Sequence, residues 1–174
     1  MTGPRVAAAL VGLLVTVSAS AQLGRTPSSA EAVGIVIAII DGDTIRARDR
    51  DGQDLGRIRL LGIDAPELAH GESPQQCWAA RAKARLAQLV SVGATIRLRP
   101  DPTQADRDAY GRRLRYLLVD GRDIQEILLV EGQARPFWPE GPGTQAATYR
   151  QSAQQAERNG RGLWAACATE GASR

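Results

Sequence analysis

Histidine is almost missing from this 174-residue chain, with His70 the single copy. A histidine-rich metal site and a Ser-His-Asp triad therefore have little material. Lysine is as scarce: Lys83 is the one copy among 22 basic residues. The positive charge is nearly all guanidinium, which suits bidentate contacts to phosphate or carboxylate better than a diffuse cationic cloud. The two cysteines, Cys77 and Cys167, do not supply a Pro-Cys-x-x-Cys element, so His70-Gly71-Glu72 followed by Pro74 and Cys77 fails as a zinc deaminase signature. A Cys77–His70 nucleophilic pair is the one thiol chemistry left, and a disulfide half at a helix start is the competing role for Cys77. The apolar run VAAALVGLLVTV at 6–17 is shorter than the ~20 residues of a comfortable membrane span.

That run has another reading. Arg5 precedes it and Ala19-Ser20-Ala21 follows, the charged, apolar and small-residue parts of a signal peptide over residues 1–21. The alternative is an uncleaved anchor, the one way this chain would touch a membrane. Cleavage implies a secreted or periplasmic protein. Loss of Arg5 alone lowers the formal net charge from +3 to +2, too mild a surplus to identify a partner. In an exported chain an even cysteine count favours a Cys77–Cys167 disulfide; two separately buried thiols are the alternative.

Residues 22–31 (QLGRTPSSAE) are small and polar, a linker. The domain runs over 32–165, with a tail at 166–174. Residues 32–40 are β-branched and apolar, a strand; 44–48 alternate as a half-buried strand; 55–63 form a third. Asp-Gly turn signals separate them. A helix at 75–92 shows apolar residues at helical spacing. Strands at 94–99 and 112–119 follow, then helices at 123–131 and 146–158. Three strands, a helix and two strands is the order of a five-stranded Greek-key barrel of the OB type, an α+β fold that is mainly β barrel. Barrel order does not by itself give function.

Three short stretches carry the chemistry. Asp41-Gly42-Asp43-Thr44 resembles the start of a helix-loop-helix calcium loop, but Ile45 stands at the third ligand position. Arg59 to Glu67 (RLLGIDAPE) runs an apolar strand into Asp64 and Glu67 across the rigid φ of Pro66. In a barrel of this order, Asp43 and Asp64 can share a hard cation, with Glu67 nearby as a general base for water. A solvated acidic loop is the plain alternative. Asp108-Ala109-Tyr110-Gly111-Arg112 adds an aromatic ring and a second guanidinium, or is an ordinary loop with a surface arginine. Together the pieces make a phosphodiesterase set: carboxylates for a metal, a base, and the arginines Arg59 and Arg112.

In this order and at these separations, the stretches resemble the staphylococcal nuclease (thermonuclease) family, from about Ile40 to Trp164. The resemblance extends to residues 119–134 and to the closing Gly160–Trp164. It implies calcium-dependent hydrolysis of DNA and RNA at the P–O5′ bond, leaving 3′-phosphate ends, with single strands favoured. It also implies roles. Asp43, Asp64 and the Ala65 carbonyl correspond to the Ca2+ ligands and Glu67 to the general base. Arg59 and Arg112 correspond to the phosphate-binding arginines, Tyr110 to a tyrosine beside the phosphate, and Asp41 to a residue orienting ligands or waters.

The chain also departs from the family pattern. Ala65 replaces a threonine of which the carbonyl alone is needed, and Ala109 replaces a lysine. The tyrosine-bearing stretch has become RPFWPE (135–140), where Trp138, and Phe137 beside it, are candidates to stack on a base or to serve as core or lid. The competing class is a non-catalytic nucleic-acid-binding module on the same barrel. A monomer without an obligate protein partner is the default expectation.

Overall fold

The computed structural model describes residues 31–168. The expected signal peptide, nearly all of the linker and the end of the tail lie outside the described residues.

The first three strands are β1 (Ala32–Ile39), β2 (Thr44–Arg48) and β3 (Asp54–Leu60). β2 and the end of β3 alternate apolar and polar residues, while β1 is a continuous β-branched and apolar run. In β2, Ile45 and Ala47 are buried while Arg46 and Arg48 face out, and Ile45 sits opposite Ile58 of β3. A two-residue strand β4 (Ile63–Asp64) precedes α1 (Ala79–Leu89) and β5 (Thr95–Arg99). Next come β6 (Arg113–Val119), β7 (Arg122–Asp123), α2 (Ile124–Val130), β8 (Arg135–Pro136), α3 (Ala146–Arg158) and α4 (Leu163–Ala166). The large sheet runs β3-β2-β1-β5-β6, and a parallel β3–β6 pairing closes it. Closure removes the exposed strand edges and gives the expected five-stranded barrel. Ile45, Ile58, Leu60, Ile96, Leu98 and Leu117 fill it, and Leu86 of α1 joins the same core. Among the described residues no helix is long and apolar enough to cross a membrane.

The structure differs from the sequence reading at three places. The third strand is interrupted at Gly62, whose φ of +77° turns the chain. A Cβ there would lie 2.8 Å from Trp138 and 2.9 Å from Tyr149, so the turn packs without room for a side chain. The segment beyond it, β4, pairs with β8 and sets Asp64 opposite Arg135. The first helix starts at Ala79 rather than at residue 75, because Trp78 is left-handed (φ 74°) and cannot continue a right-handed helix. Last, a short α4 follows α3 and is fastened to the turn before α1: Cys77 and Cys167 form a disulfide with a Cα–Cα distance of 5.9 Å. The alternative of two free thiols is thereby excluded.

A buried carboxylate fastens the irregular segment before α3. Asp101 accepts hydrogen bonds from the Tyr116 hydroxyl (2.6 Å), the Thr144 N–H (2.7 Å) and the Thr103 N–H (2.8 Å). Burial alone would raise its pKa, but these donors outweigh that and hold it at about 2, against an ordinary 3.8. A carboxylate whose folded pKa is depressed contributes stability that is complete above its unfolded pKa and is lost as pH falls toward the folded one. We therefore expect Asp101→Asn to be less stable than the parent at neutral pH, with the gap shrinking between pH 4 and pH 2. Urea melts across that window check this.

Candidate active site

The turn between β1 and β2 brings the first carboxylates to the end of β3. Asp41 Oδ1 accepts the Asp43 N–H at 3.0 Å, the local bond by which Asp nucleates a turn. Asp43 is then buried, 2% exposed. Its Oδ2 accepts the Ala65 N–H at 2.7 Å, and its carbonyl accepts the Leu60 N–H at 2.8 Å. Gly42 permits this approach: a Cβ there would lie 2.6 Å from the Ala65 Cβ and 2.9 Å from the Ala82 Cβ of α1. Ala65 and Ala82 are themselves small, so three residues cooperate to seat the turn. Gly42→Ala should push the turn off Ala65, lowering stability by roughly 1–3 kcal/mol. Activity should fall by more than the unfolded fraction explains. Melting and kcat measured on the same preparation separate the two effects.

Arg59 sits between the two carboxylates. Its Nε is 3.2 Å from Asp43 Oδ1 and its Nη2 donates to Asp64 Oδ1 at 2.9 Å. Its Nη1 donates to the Leu60 and Ile63 carbonyls at 2.9 and 2.7 Å. Every nitrogen of the guanidinium is engaged, so its plane is held before any ligand arrives. Asp64 keeps about half of its side chain open to solvent.

Glu67 follows one turn later. Its N–H donates to the Gln76 side chain at 3.0 Å, and the Gln76 N–H donates back to the Glu67 carbonyl at 2.9 Å. The loop that leaves the site is thus closed on itself, next to the disulfide-bonded Cys77. The Glu67 carboxyl is raised above its ordinary pKa, by partial burial first and by Asp41 and Asp64 second, with Arg59 and Arg112 opposing. The four charges that act on this carboxyl belong to the other predicted site residues.

The electrostatics favour a cation. Burial pushes Asp43 up to about 7, and Asp41 and Asp64 add to it, against the pull of Arg59 and the Ala65 N–H. A positive charge beside this group would reverse that cost. The donors are all oxygen, the chemistry of a hard ion such as calcium or magnesium. Among the described residues no three Asp, Glu, His or Cys side chains converge as a metal cluster. Asp43 and Asp64, joined through Arg59, supply two carboxylates, and main-chain oxygens and water complete the shell of such an ion. The residues present therefore fit the ion.

Beside this cluster lies a cavity of about 340 Å³ whose walls include Arg59, Arg112, Tyr110, Phe137 and Trp138. Arg112 is held by Asp108, which accepts its Nε at 2.6 Å and its N–H at 2.9 Å. The Tyr110 N–H adds a third bond to the same carboxylate at 3.0 Å. Burial raises the Asp108 carboxyl, but these bonds outweigh it and leave the group below the usual range. Tyr110 is 86% exposed, with its ring 5.4 Å from the Arg112 guanidinium carbon. Trp138 reaches the cavity, but its ring is stacked on Tyr149 at 6.1 Å and lies under Arg150. It is a wall rather than a free platform; the exposed rings are Tyr110 and Phe137.

The structure thus gathers Asp41, Asp43, Arg59, Asp64, Ala65 and Glu67 around the end of β3, with Tyr110 and Arg112 lining the same cavity as Arg59. Sequence reasoning gave no role to Asp108 or Gln76. Asp108 has a signal in hindsight, an Asp at the Asx-turn position of the same DAYGR stretch. Gln76 has none, because its partner is nine residues away through a loop.

Comparison with known proteins gives the chain's relatives. Residues 57–166 match the family model described as staphylococcal nuclease homologue. Endonuclease YncB of Bacillus subtilis (strain 168) is 35% identical over 127 residues, covering 72% of this chain and 58% of its own. Thermonuclease of Staphylococcus intermedius is 36% identical over 106 residues, covering 60% of each chain. Micrococcal nuclease of Shigella flexneri is 31% identical over 165 residues, 90% of this chain and 87% of its own. The chain therefore spans less than two thirds of the first two relatives and most of the third.

Proposed function

This chain belongs to the staphylococcal nuclease family, and on that premise we propose that it is a calcium-dependent nuclease. It hydrolyses phosphodiester bonds of DNA and RNA, preferring single strands. The observation that carries the reading is Arg59 locked between Asp43 and Asp64, with Glu67 under the charges of Asp41, Asp64, Arg59 and Arg112.

The roles follow from where each group sits. The carboxylates of Asp43 and Asp64 and the carbonyl of Ala65 would hold the ion, which supplies positive charge against the phosphoryl oxygens. Arg59 is already fixed by its acceptors, and its Nη2 keeps one N–H beyond the bond to Asp64 for a phosphate, so little reorganisation is needed, the condition under which such donors act best. Arg112 lines the same cavity, aimed by Asp108. Glu67 takes a proton from the attacking water, and its raised pKa makes it a better acceptor than an ordinary carboxylate. The water oxygen bonds to phosphorus, the P–O5′ bond breaks, and O5′ leaves as a hydroxyl after taking up a proton. The phosphate stays on the 3′ side. Tyr110 and Phe137 offer rings for an unstacked base; single strands supply such bases at the lowest cost. Asp41 orients the Asp43 backbone.

The protein acts as a secreted or periplasmic monomer. The Cys77–Cys167 bridge supports an oxidising compartment, where disulfides persist. Digestion of single-stranded DNA and of RNA with calcium, with magnesium and with chelator tests the proposal. Cleavage with calcium that chelator abolishes is the expected result. A folded protein that binds DNA without cleaving it in any of these conditions would make the chain a binding module instead.

A further inference from the structure

The outer face of the β2–β3 hairpin carries an arrangement that the hydrolytic site does not use. In register, Thr44 faces Arg59, Arg46 faces Arg57, and Arg48, two residues beyond Arg46, faces Asp54. The side chains between them, Ile45, Ala47 and Ile58, are buried. Strand alternation therefore puts the exposed Arg46, Arg48 and Arg57 on the same side of the hairpin as Arg59, which is buried at the site. The result is a row of guanidinium groups that begins at the site and runs away from it, in steps of roughly 7 Å along each strand.

The row has a cost in the free protein. Like charges directly opposite on neighbouring strands are destabilising, and Arg46 and Arg57 are such a pair. Asp54 forms an ion pair with Arg46. Among the described residues, neither Arg48 nor Arg57 has a carboxylate within ion-pair distance. Both are exposed. Arginine planes spaced along a strand match a chain of regularly spaced anions better than a single small ligand.

We propose that the Arg46–Arg48–Arg57 face is an extended binding track for the sugar–phosphate backbone of a single nucleic-acid strand whose scissile phosphate lies at Arg59. The track rests on the proposed nuclease reading for its direction, since continuity with Arg59 is what ties it to the site. It makes substrate length matter: a strand long enough to leave the site along β2–β3 gains interactions that a dinucleotide does not.

The test uses the full chain and the variants Arg48→Ala, Arg57→Ala and Arg57→Glu. Arg158→Ala, an exposed arginine at the end of α3, is the control. Binding of a fluorescent oligodeoxythymidylate is measured by anisotropy in chelator across a salt series. Cleavage of that oligonucleotide and of a dinucleotide is measured with calcium. Each alanine variant on the track should weaken binding several-fold and flatten the salt slope by about 0.7 for every phosphate it no longer neutralises. Arg57→Glu should weaken it further. KM for the long strand should rise in step with kcat unchanged, and dinucleotide kinetics should stay at the parent value.

Track variants indistinguishable from Arg158→Ala in salt slope and in KM would overturn the proposal, and so would equal losses on the long strand and the dinucleotide. The binding arm needs no catalysis. A chain that cleaves nothing yet shows the Arg57-dependent slope would remove the nuclease reading and leave the track. A chain that cleaves normally with unaltered track variants would do the reverse.

Discussion

Glu67→Gln should lower kcat for cleavage of single-stranded DNA by on the order of 10²–10⁴-fold, the range for losing a positioned general base. KM should change little, because the amide still fills the site and Arg59, Arg112 and the cavity are untouched. The same substitution should leave the protein at least as stable in chelator at neutral pH. The Glu67 carboxyl is held above its ordinary pKa, so its charged form is disfavoured in the folded state. For an acid with a raised folded pKa, stability falls as pH rises through the unfolded value, and removing the charge relieves that loss. Arg112→Ala should also cost on the order of 10²–10³ in rate, but without that gain, because it leaves Asp108 without its bonds to the Arg112 side chain. Steady-state kinetics and thermal melts on the two variants check the contrast. Full activity in both would remove these residues from the mechanism.

Breaking the Cys77–Cys167 bridge should have the largest effect on stability. The two cysteines are 90 residues apart in sequence, and tying so long a loop lowers the entropy of the unfolded chain. In the loop-entropy description this is worth about 4–5 kcal/mol, which for a chain of this size is a fall in Tm of roughly 10–20 °C. Locally, α4 has only four residues and rests on α2 through the Leu163 N–H to Gly132 carbonyl bond at 2.9 Å. Without the bridge that last segment should fray first. The double variant Cys77→Ser/Cys167→Ser, followed by urea melts with and without reductant, measures the loss. The parent should approach the variant's midpoint when reduced, while the variant should not respond.

What could be read from the sequence divides along physical lines. Strands with clean alternation, such as Thr44–Arg48, and helices with a continuous apolar face, such as Ala146–Arg158, are legible because burial of one face is a local pattern. The break at Gly62 is hidden because Leu60, Leu61 and Ile63 are all apolar, and a turn inside an apolar run has no polar marker. The late start of α1, after Trp78, depends on one left-handed residue that is not a glycine. The β4–β8 pair is two residues long on each side, below what any periodicity can register.

The site was more legible than the fold details around it. Asp43, Asp64, Arg59 and Glu67 occur in two short stretches whose residue types have little other use at strand ends. What holds them is not in those stretches. Gly42 against Ala65 and Ala82, Gln76 on the Glu67 main chain, and Asp108 behind Arg112 are brought together by tertiary approach or by loop closure. The role expected of Trp138 shifts for the same reason: its ring was free to stack on a base only until Tyr149 and Arg150 took its faces. Phe137, its neighbour, and Tyr110 are the exposed rings at the cavity.

The most direct test of water attack at phosphorus is cleavage of a defined single-stranded DNA in oxygen-18-enriched water with calcium, with the products analysed by mass. Glu67-assisted hydrolysis of the P–O5′ bond predicts one heavy oxygen in each new 3′-phosphate, with a 5′-hydroxyl on the other fragment. Label in a 5′-phosphate, with a 3′-hydroxyl on the other fragment, would contradict the proposed chemistry.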